Sequence, residues 1–112
     1  MENTHLDETF AALAHPVRRE ILARLSKGEA TVNDLAEPFE MSLPAVSKHI
    51  KVLERAGLIS RGQHAQFRPC RLEIEPLKAI VSWTEQYREI WDVRFNKMSS
   101  IIEQLGSTKN AN

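Results

Sequence analysis

The stretch from Met41 to Ile59 constrains the fold most, because its apolar residues follow a helical period and its ends carry start and stop signals. Leu43, Val46, Ile50 and Leu53 recur at the three-and-four spacing that lines one face of a helix, whereas a strand would need alternation. Ser42 is placed to cap that helix, its hydroxyl accepting a hydrogen bond from a first-turn amide, with Met41 and Val46 spaced as a hydrophobic staple. Gly57 supplies the stop. At about 100° per residue, Pro44, Ser47, Lys48, Lys51 and Arg55 gather opposite the apolar stripe as a narrow cationic face. Such a face either solvates the outside of an amphipathic helix or reads a nucleic acid. The neighbouring sequence decides between the two.

Upstream, Leu6, Phe10 and Leu13 set a first helical stripe from about Thr4 to Ala14. His15-Pro16 breaks it, since the residue before a proline is pushed out of helical space while proline itself suits a first helical turn. A second helix then runs to Lys27-Gly28, with Val17, Ile21, Leu22 and Leu25 inward and Arg18, Arg19 and Arg24 largely outward. His15 has no His, Cys or carboxylate partner at ligand spacing and reads as structural. Thr31 caps a short third helix, with Asp34 in the capping-box position and Val32, Leu35 and Ala36 as its apolar face, until Pro38. A tight turn through Phe39-Glu40-Met41 then leads into the helix described first, which makes the pair a helix-turn-helix.

Past Gly57, Leu58 to Arg61 reads as a strand, Gly62 to Gln66 as a turn and Phe67 to Leu72 as the returning strand. A hairpin there, with Arg61, His64 and Arg68 near its tip, is a wing able to touch a phosphate backbone. Pro69 donates no hydrogen bond, so its nitrogen must face away from the ladder. Cys70 alternates with Leu72 and is expected to face the core, as a small buried hydrophobe or else as a redox-sensitive thiol. From Pro76 to about Leu105 a long helix meets no further proline or glycine. Leu77, Ile80, Thr84, Tyr87, Trp91, Met98, Ile101 or Ile102, and Leu105 give it a near-heptad stripe, widened by Val81, Trp83, Ile90 and Phe95. That is more apolar surface than a small domain covers alone, so the excess is expected to bury against a second copy of the chain. Residues 1–105 form one domain on this reading, and 106–112 a flexible tail.

Net charge is zero, which alone argues against a nucleic-acid partner, but the charge is unevenly placed. Between Ser42 and Arg71 six cations, Lys48, Lys51, Arg55, Arg61, Arg68 and Arg71, stand against Glu54 alone, a local net charge of +5. Only charges that reach phosphates release counterions, so a basic footprint in a neutral chain suffices. The single cysteine excludes an intramolecular disulfide and fits a reducing compartment. No run approaches the ~18 apolar residues of a membrane span, and the start lacks the basic and apolar regions of a signal peptide. A cytoplasmic protein without a membrane partner is expected.

The order α-α-α-α-β-β-α, mostly α with a small β-hairpin, resembles the ArsR family of winged helix-turn-helix bacterial transcriptional repressors over nearly the whole chain. Leu13-Ala14-His15-Pro16-Val17-Arg18-Arg19-Glu20-Ile21-Leu22 is similar to the family's entry into its second helix, and Ser42 through Ile59 resembles its recognition helix almost residue for residue. The resemblance implies a homodimer formed through the first and last helices, with Leu6, Phe10, Trp83, Tyr87, Trp91, Phe95, Met98 and Ile102 at the interface. Each subunit would lay its recognition helix into a major groove of double-stranded DNA, at a pseudo-palindromic operator with half-sites ~34 Å apart. Ser42, Pro44, Ala45, Ser47, Lys48, His49, Lys51 and Arg55 then fall near bases or phosphates, with Arg61, His64 and Arg68 on the wing. His49 lies beside the apolar stripe and stays open between packing on the helix flank and a phosphate contact. Ala45 would reach DNA only through its methyl, against a thymine.

One departure from the family pattern bears on control. Metal-sensing members carry Cys-x-Cys on the third helix, where this chain has Thr31 and Asn33, and no histidine follows His64 to build a site on the last helix. One cysteine and four scattered histidines give no tetrahedral set within one chain, so neither metal nor other cofactor is expected, and the chain resembles the non-metal-sensing branch. Trp83, Tyr87 and Trp91 are either plain interface core or the lining of an apolar pocket for a small-molecule inducer. An enzyme is not expected, because no nucleophile-base-orienter set, glycine-rich phosphate loop or partnered carboxylate pair occurs. The alternative is a winged-helix module that binds protein through the same basic surface.

Overall fold

Seven elements follow one another in the computed structural model, which describes residues 2–62 and 68–110, with side chains described from His5 to Gly106 within that span. They are α1 (Glu2–Leu13), α2 (Pro16–Leu25), α3 (Val32–Ala36), α4 (Leu43–Arg55), β1 (Ile59–Arg61), β2 (Cys70–Leu72) and α5 (Glu75–Asn110). The expected order α-α-α-α-β-β-α is the observed one. Contacts divide the chain into two units, residues 1–80 and residues 81–112, the second being the greater part of α5.

Local chemistry explains where each helix of the first unit begins and ends. His15 is extended and its Nδ1 accepts the Val17 amide hydrogen at 3.2 Å, so the histidine before Pro16 is the N-cap of α2. Thr31 and Asp34 form the reciprocal capping box at the start of α3. The Thr31 backbone amide, bonded to the Asp34 carboxylate, holds that carboxyl below its usual range. Ser42 caps α4 by accepting from the Ala45 amide at 3.3 Å. At the other end of α4, Leu58 N donates to Leu53 O at 2.9 Å and Gly57 N to Glu54 O at 3.0 Å, a Schellman closure. That closure needs a left-handed residue, and Gly57 supplies it with φ +78°.

The core of this unit is built from one face of each helix. Ile21, Leu22 and Leu25 of α2, Leu35 of α3 and Val46, Ile50 and Leu53 of α4 are buried together with Ala12, Ala30, Leu58, Ile59 and Cys70. Leu43 departs from the expected stripe, for it is 46% exposed. It occupies the first helical position of α4, before the helix has turned onto the core.

β1 and β2 pair antiparallel, Ile59 opposite Leu72 and Arg61 opposite Cys70. A connection that periodicity does not reveal ties this hairpin to the helices: Cys70 N donates to Ala30 O at 2.7 Å and Ala30 N to Cys70 O at 3.2 Å. The residue between α2 and α3 thus acts as a one-residue third strand. Cys70 is fully buried at that junction, and burial pushes its thiol up, which fits a small core hydrophobe and a poor nucleophile.

α5 continues through Gly106 to Asn110, beyond the Leu105 at which the sequence reading ends it. A single glycine costs a helix only ~1 kcal/mol relative to alanine, and no proline follows. Within residues 81–112 the helix carries an ion-paired side, Arg88 meeting Glu85 at 3.3 Å and Asp92 at 3.3 Å. It also exposes Val81, Trp83, Tyr87, Ile90, Trp91, Phe95, Met98, Ile101, Ile102 and Leu105, each at least 41% accessible. Trp83 and Tyr87 meet edge to face, ring centroids 5.2 Å apart. Among the described residues no helix is long and apolar enough to cross a membrane.

Candidate nucleic-acid interface

Burial of Val46, Ile50 and Leu53 fixes the rotation of α4 and so decides which of its side chains face outward. Ser42, Pro44, Lys48, Lys51 and Arg55 are exposed, while Ala45 and Ser47 are partly buried along the flanks. Among the described residues no ion pair engages Lys48, Lys51 or Arg55. The first turn is neutral apart from the helix's own free amides, and Ser42 consumes one of these. Such a surface offers an anion two mobile ammonium groups, a guanidinium and several small side chains over which a groove wall can approach.

On the wing the structure brings Arg61 and Arg68 to opposite legs of the hairpin, where Arg61 Nε donates to Arg68 O at 2.9 Å. Gly62 N donates to Pro69 O at 2.8 Å and extends the ladder one step beyond β1. The hairpin tip, residues 63–67 with His64, lies outside the described residues. Arg71, counted in the local charge of +5, is engaged elsewhere: its Nη2 lies 2.7 Å from Glu29 Oε1. Both groups are exposed, so the pair adds little to stability, but it removes one free cation from the footprint.

His49 is the sequence candidate with the most specific surroundings. It is partly buried, its Nδ1 lies 3.1 Å from Arg18 Nη1, and its ring centroid is 4.4 Å from that of His15. Of its two readings, flank packing is the one this geometry describes. Arg18 was expected to point largely outward, yet its Nε donates to Ala12 O at 2.6 Å and its Nη2 to Ala11 O at 3.1 Å. Arg19 Nη1 donates to Leu13 O at 2.7 Å. Together the two arginines donate to the carbonyls of Ala11, Ala12 and Leu13 at the end of α1, where Ala11 O also accepts from Ala14 N at 3.2 Å. A signal for this was present: a cation in the first turn of a helix opposes the dipole, so two in succession after Pro16 call for acceptors elsewhere.

The positions that carry Cys-x-Cys in metal sensors are otherwise used here, Thr31 as the α3 cap and Asn33 as an exposed residue. Among the described residues no group of three or more His, Cys, Asp or Glu is arranged to hold a metal ion.

Known proteins share this arrangement. The model of a helix-turn-helix domain family matches residues 13–61, the span from the end of α1 to β1. The HTH-type transcriptional regulator Rv2034 of Mycobacterium tuberculosis is 45% identical over 100 residues, covering 89% of this chain and 91% of its own. Transcriptional repressor SdpR of Bacillus subtilis is 35% identical over 78 residues, 70% of this chain and 87% of the relative. Among solved structures, the crystal structure of an ArsR family transcriptional regulator superposes with a TM-score of 0.73 at 44% identity, covering 79% of this chain and 97% of that one. An ArsR-like transcriptional regulator from Rhodococcus sp. RHA1 gives 0.69 at 26% identity over 88% and 93%. With a helix-turn-helix closed by a wing, and relatives of this identity matched over most of their length, the chain belongs to the ArsR family of winged helix-turn-helix transcriptional regulators.

Proposed function

We propose that the chain is a cytoplasmic transcriptional repressor that binds a pseudo-palindromic operator as a homodimer. The observation that carries this reading is the outer face of α4, where Lys48 and Lys51 stand exposed and, among the described residues, without an ion-pair partner, on a helix whose opposite face is locked into the core. In the second half of a helix-turn-helix that face enters the major groove, with Ser42, Pro44, Ala45 and Ser47 toward base edges and Lys48, Lys51 and Arg55 toward phosphates. Arg61 and Arg68, with His64 at the hairpin tip, extend the contact along the backbone. His49 contributes by holding α4 rather than by touching DNA.

Dimerisation rests on the apolar residues of α5. A contiguous run from Val81 to Leu105 with side chains 41–64% exposed is larger than monomeric proteins leave open. Trp83, Tyr87, Trp91, Phe95, Met98 and Ile102 would meet their copies across a two-fold axis, and Leu6 and Phe10 of α1 would also contribute to the interface. Two-fold symmetry in the protein then requires dyad symmetry in the site.

Selection from a pool of random duplexes tests the proposal. Purified protein is expected to enrich one dyad-symmetric sequence, bound by two chains per duplex. A pool that stays random through repeated rounds would contradict it and favour the protein-binding alternative.

A further inference from the structure

The contacts around His49 impose a condition on protonation. A guanidinium only donates, so the 3.1 Å contact from Arg18 Nη1 requires a bare Nδ1 on His49, which places the ring hydrogen on Nε2. The same holds for His15, whose Nδ1 accepts the Val17 amide hydrogen that caps α2. The His49 ring must be neutral for its contact with Arg18 to exist, and the His15 ring sits 4.4 Å from it, tilted by 47°. Through Arg18 the cluster joins three elements: the carbonyls of Ala11 and Ala12 end α1, Arg18 belongs to α2, and His49 belongs to the middle of α4.

We propose that Arg18, His15 and His49 form a proton-sensitive latch that positions α4 on α1 and α2, closed when the His49 imidazole is neutral and released when it takes up a proton. The consequence for DNA rests on the function proposed above, since α4 is the helix read there as entering the groove. A proton on His49 Nδ1 abolishes the acceptor and sets an imidazolium against the Arg18 guanidinium and beside the His15 ring. Arg18 cannot withdraw without releasing the α1 carbonyls it also holds.

The surrounding charges do little to relieve that repulsion. α2 presents His15 and Arg18 to His49, while Arg19 is committed to Leu13 O. A groove of about 340 Å³ beside Arg18 brings Glu8 from α1 as the one carboxylate, together with Arg55 from α4. α3 turns its acids, Asp34 and neighbouring Glu37, toward a different cavity shared with Glu20 and Arg24. Arg61 of β1 is held at Arg68 O. Burial, then the neighbouring His15 and Arg18, push His49 down from its ordinary value of 6.5. A base held down in the folded state binds fewer protons than in the unfolded chain, so its contribution is complete above about 6.5 and is lost as pH falls through the interval below.

Added charge alone would act the other way, because a new cation on α4 strengthens attraction to phosphate. The sign of the pH effect therefore separates a latch from simple electrostatics. Two titrations between pH 7.5 and 5.5 test it, one of denaturant midpoint without DNA and one of affinity for a selected duplex, on wild type and His49→Gln. Glutamine keeps an acceptor for Arg18 but does not titrate. Wild type is expected to lose both stability and affinity on acidification, by up to about ten-fold per pH unit, and the variant to lose markedly less of each. Equal pH dependence in the two proteins, or affinity that rises on acidification, overturns the latch. Should no duplex bind at any pH, the DNA-binding reading fails while the midpoints still judge the latch. If His49→Gln does not fold, imidazole nitrogen shifts of the wild type replace it: a proton on Nε2 alone at pH 7.5 supports the proposal, and one on Nδ1 refutes it.

Discussion

Replacing Lys48 and Lys51 together by alanine is expected to leave the fold intact and to remove most operator affinity. Both side chains are exposed and, among the described residues, have no ion-pair partner, so the folded state loses little with them. Binding loses more, because a two-fold complex forfeits the contacts of both subunits. Each phosphate contact removed lowers the slope of log affinity against log salt by about 0.9, so the variant should show a visibly flatter salt dependence. At ~0.1 M salt an affinity loss of roughly 10²-fold or more is expected, spread over all sequences rather than confined to one base position. Fluorescence anisotropy across a salt series reads both quantities, and circular dichroism checks the fold. Unchanged affinity with an unchanged slope would remove this face from the interface.

Ile50→Ala should have the largest effect on stability. Its side chain is 1% exposed and packs where α4 meets the core residues of α2 and α3. Truncation loses the transfer energy of the deleted carbons and leaves a cavity, together about 2–5 kcal/mol. Against a total of ~5–15 kcal/mol for a domain of this kind, that is enough to populate the unfolded state under mild denaturant. Leu43→Ala is the internal control. Equally aliphatic and on the same helix but 46% exposed, Leu43 should cost no more than ~0.5 kcal/mol. Urea unfolding midpoints compare the two, and a similar loss from both would show that α4 is not seated as described.

That contrast marks the boundary of what was legible in the sequence. Period and caps act within a few residues, so the helices, the Thr31–Asp34 box, the Ser42 cap and the Gly57 stop were all readable from spacing. The cationic face of α4 was readable for the same reason, since burial of one stripe determines the other. Side chains whose partners lie far along the chain were not. Arg18 reaches back to Ala11 and Ala12 and across to His49, Arg71 reaches Glu29, and Cys70 pairs with Ala30, all through contacts that only the folded chain creates. Leu43 was misplaced because a helical wheel carries no information on where the core begins. His49 shows the same limit from the other side: its angle on α4 left two readings open, and its neighbours come from α2.

Hydroxyl-radical footprinting of wild-type protein on a selected duplex tests the central claim most directly. Two α4 helices related by a two-fold axis predict two symmetric protected segments centred about 34 Å apart, one helical turn along the DNA. A single protected segment, asymmetric protection, or none would contradict it.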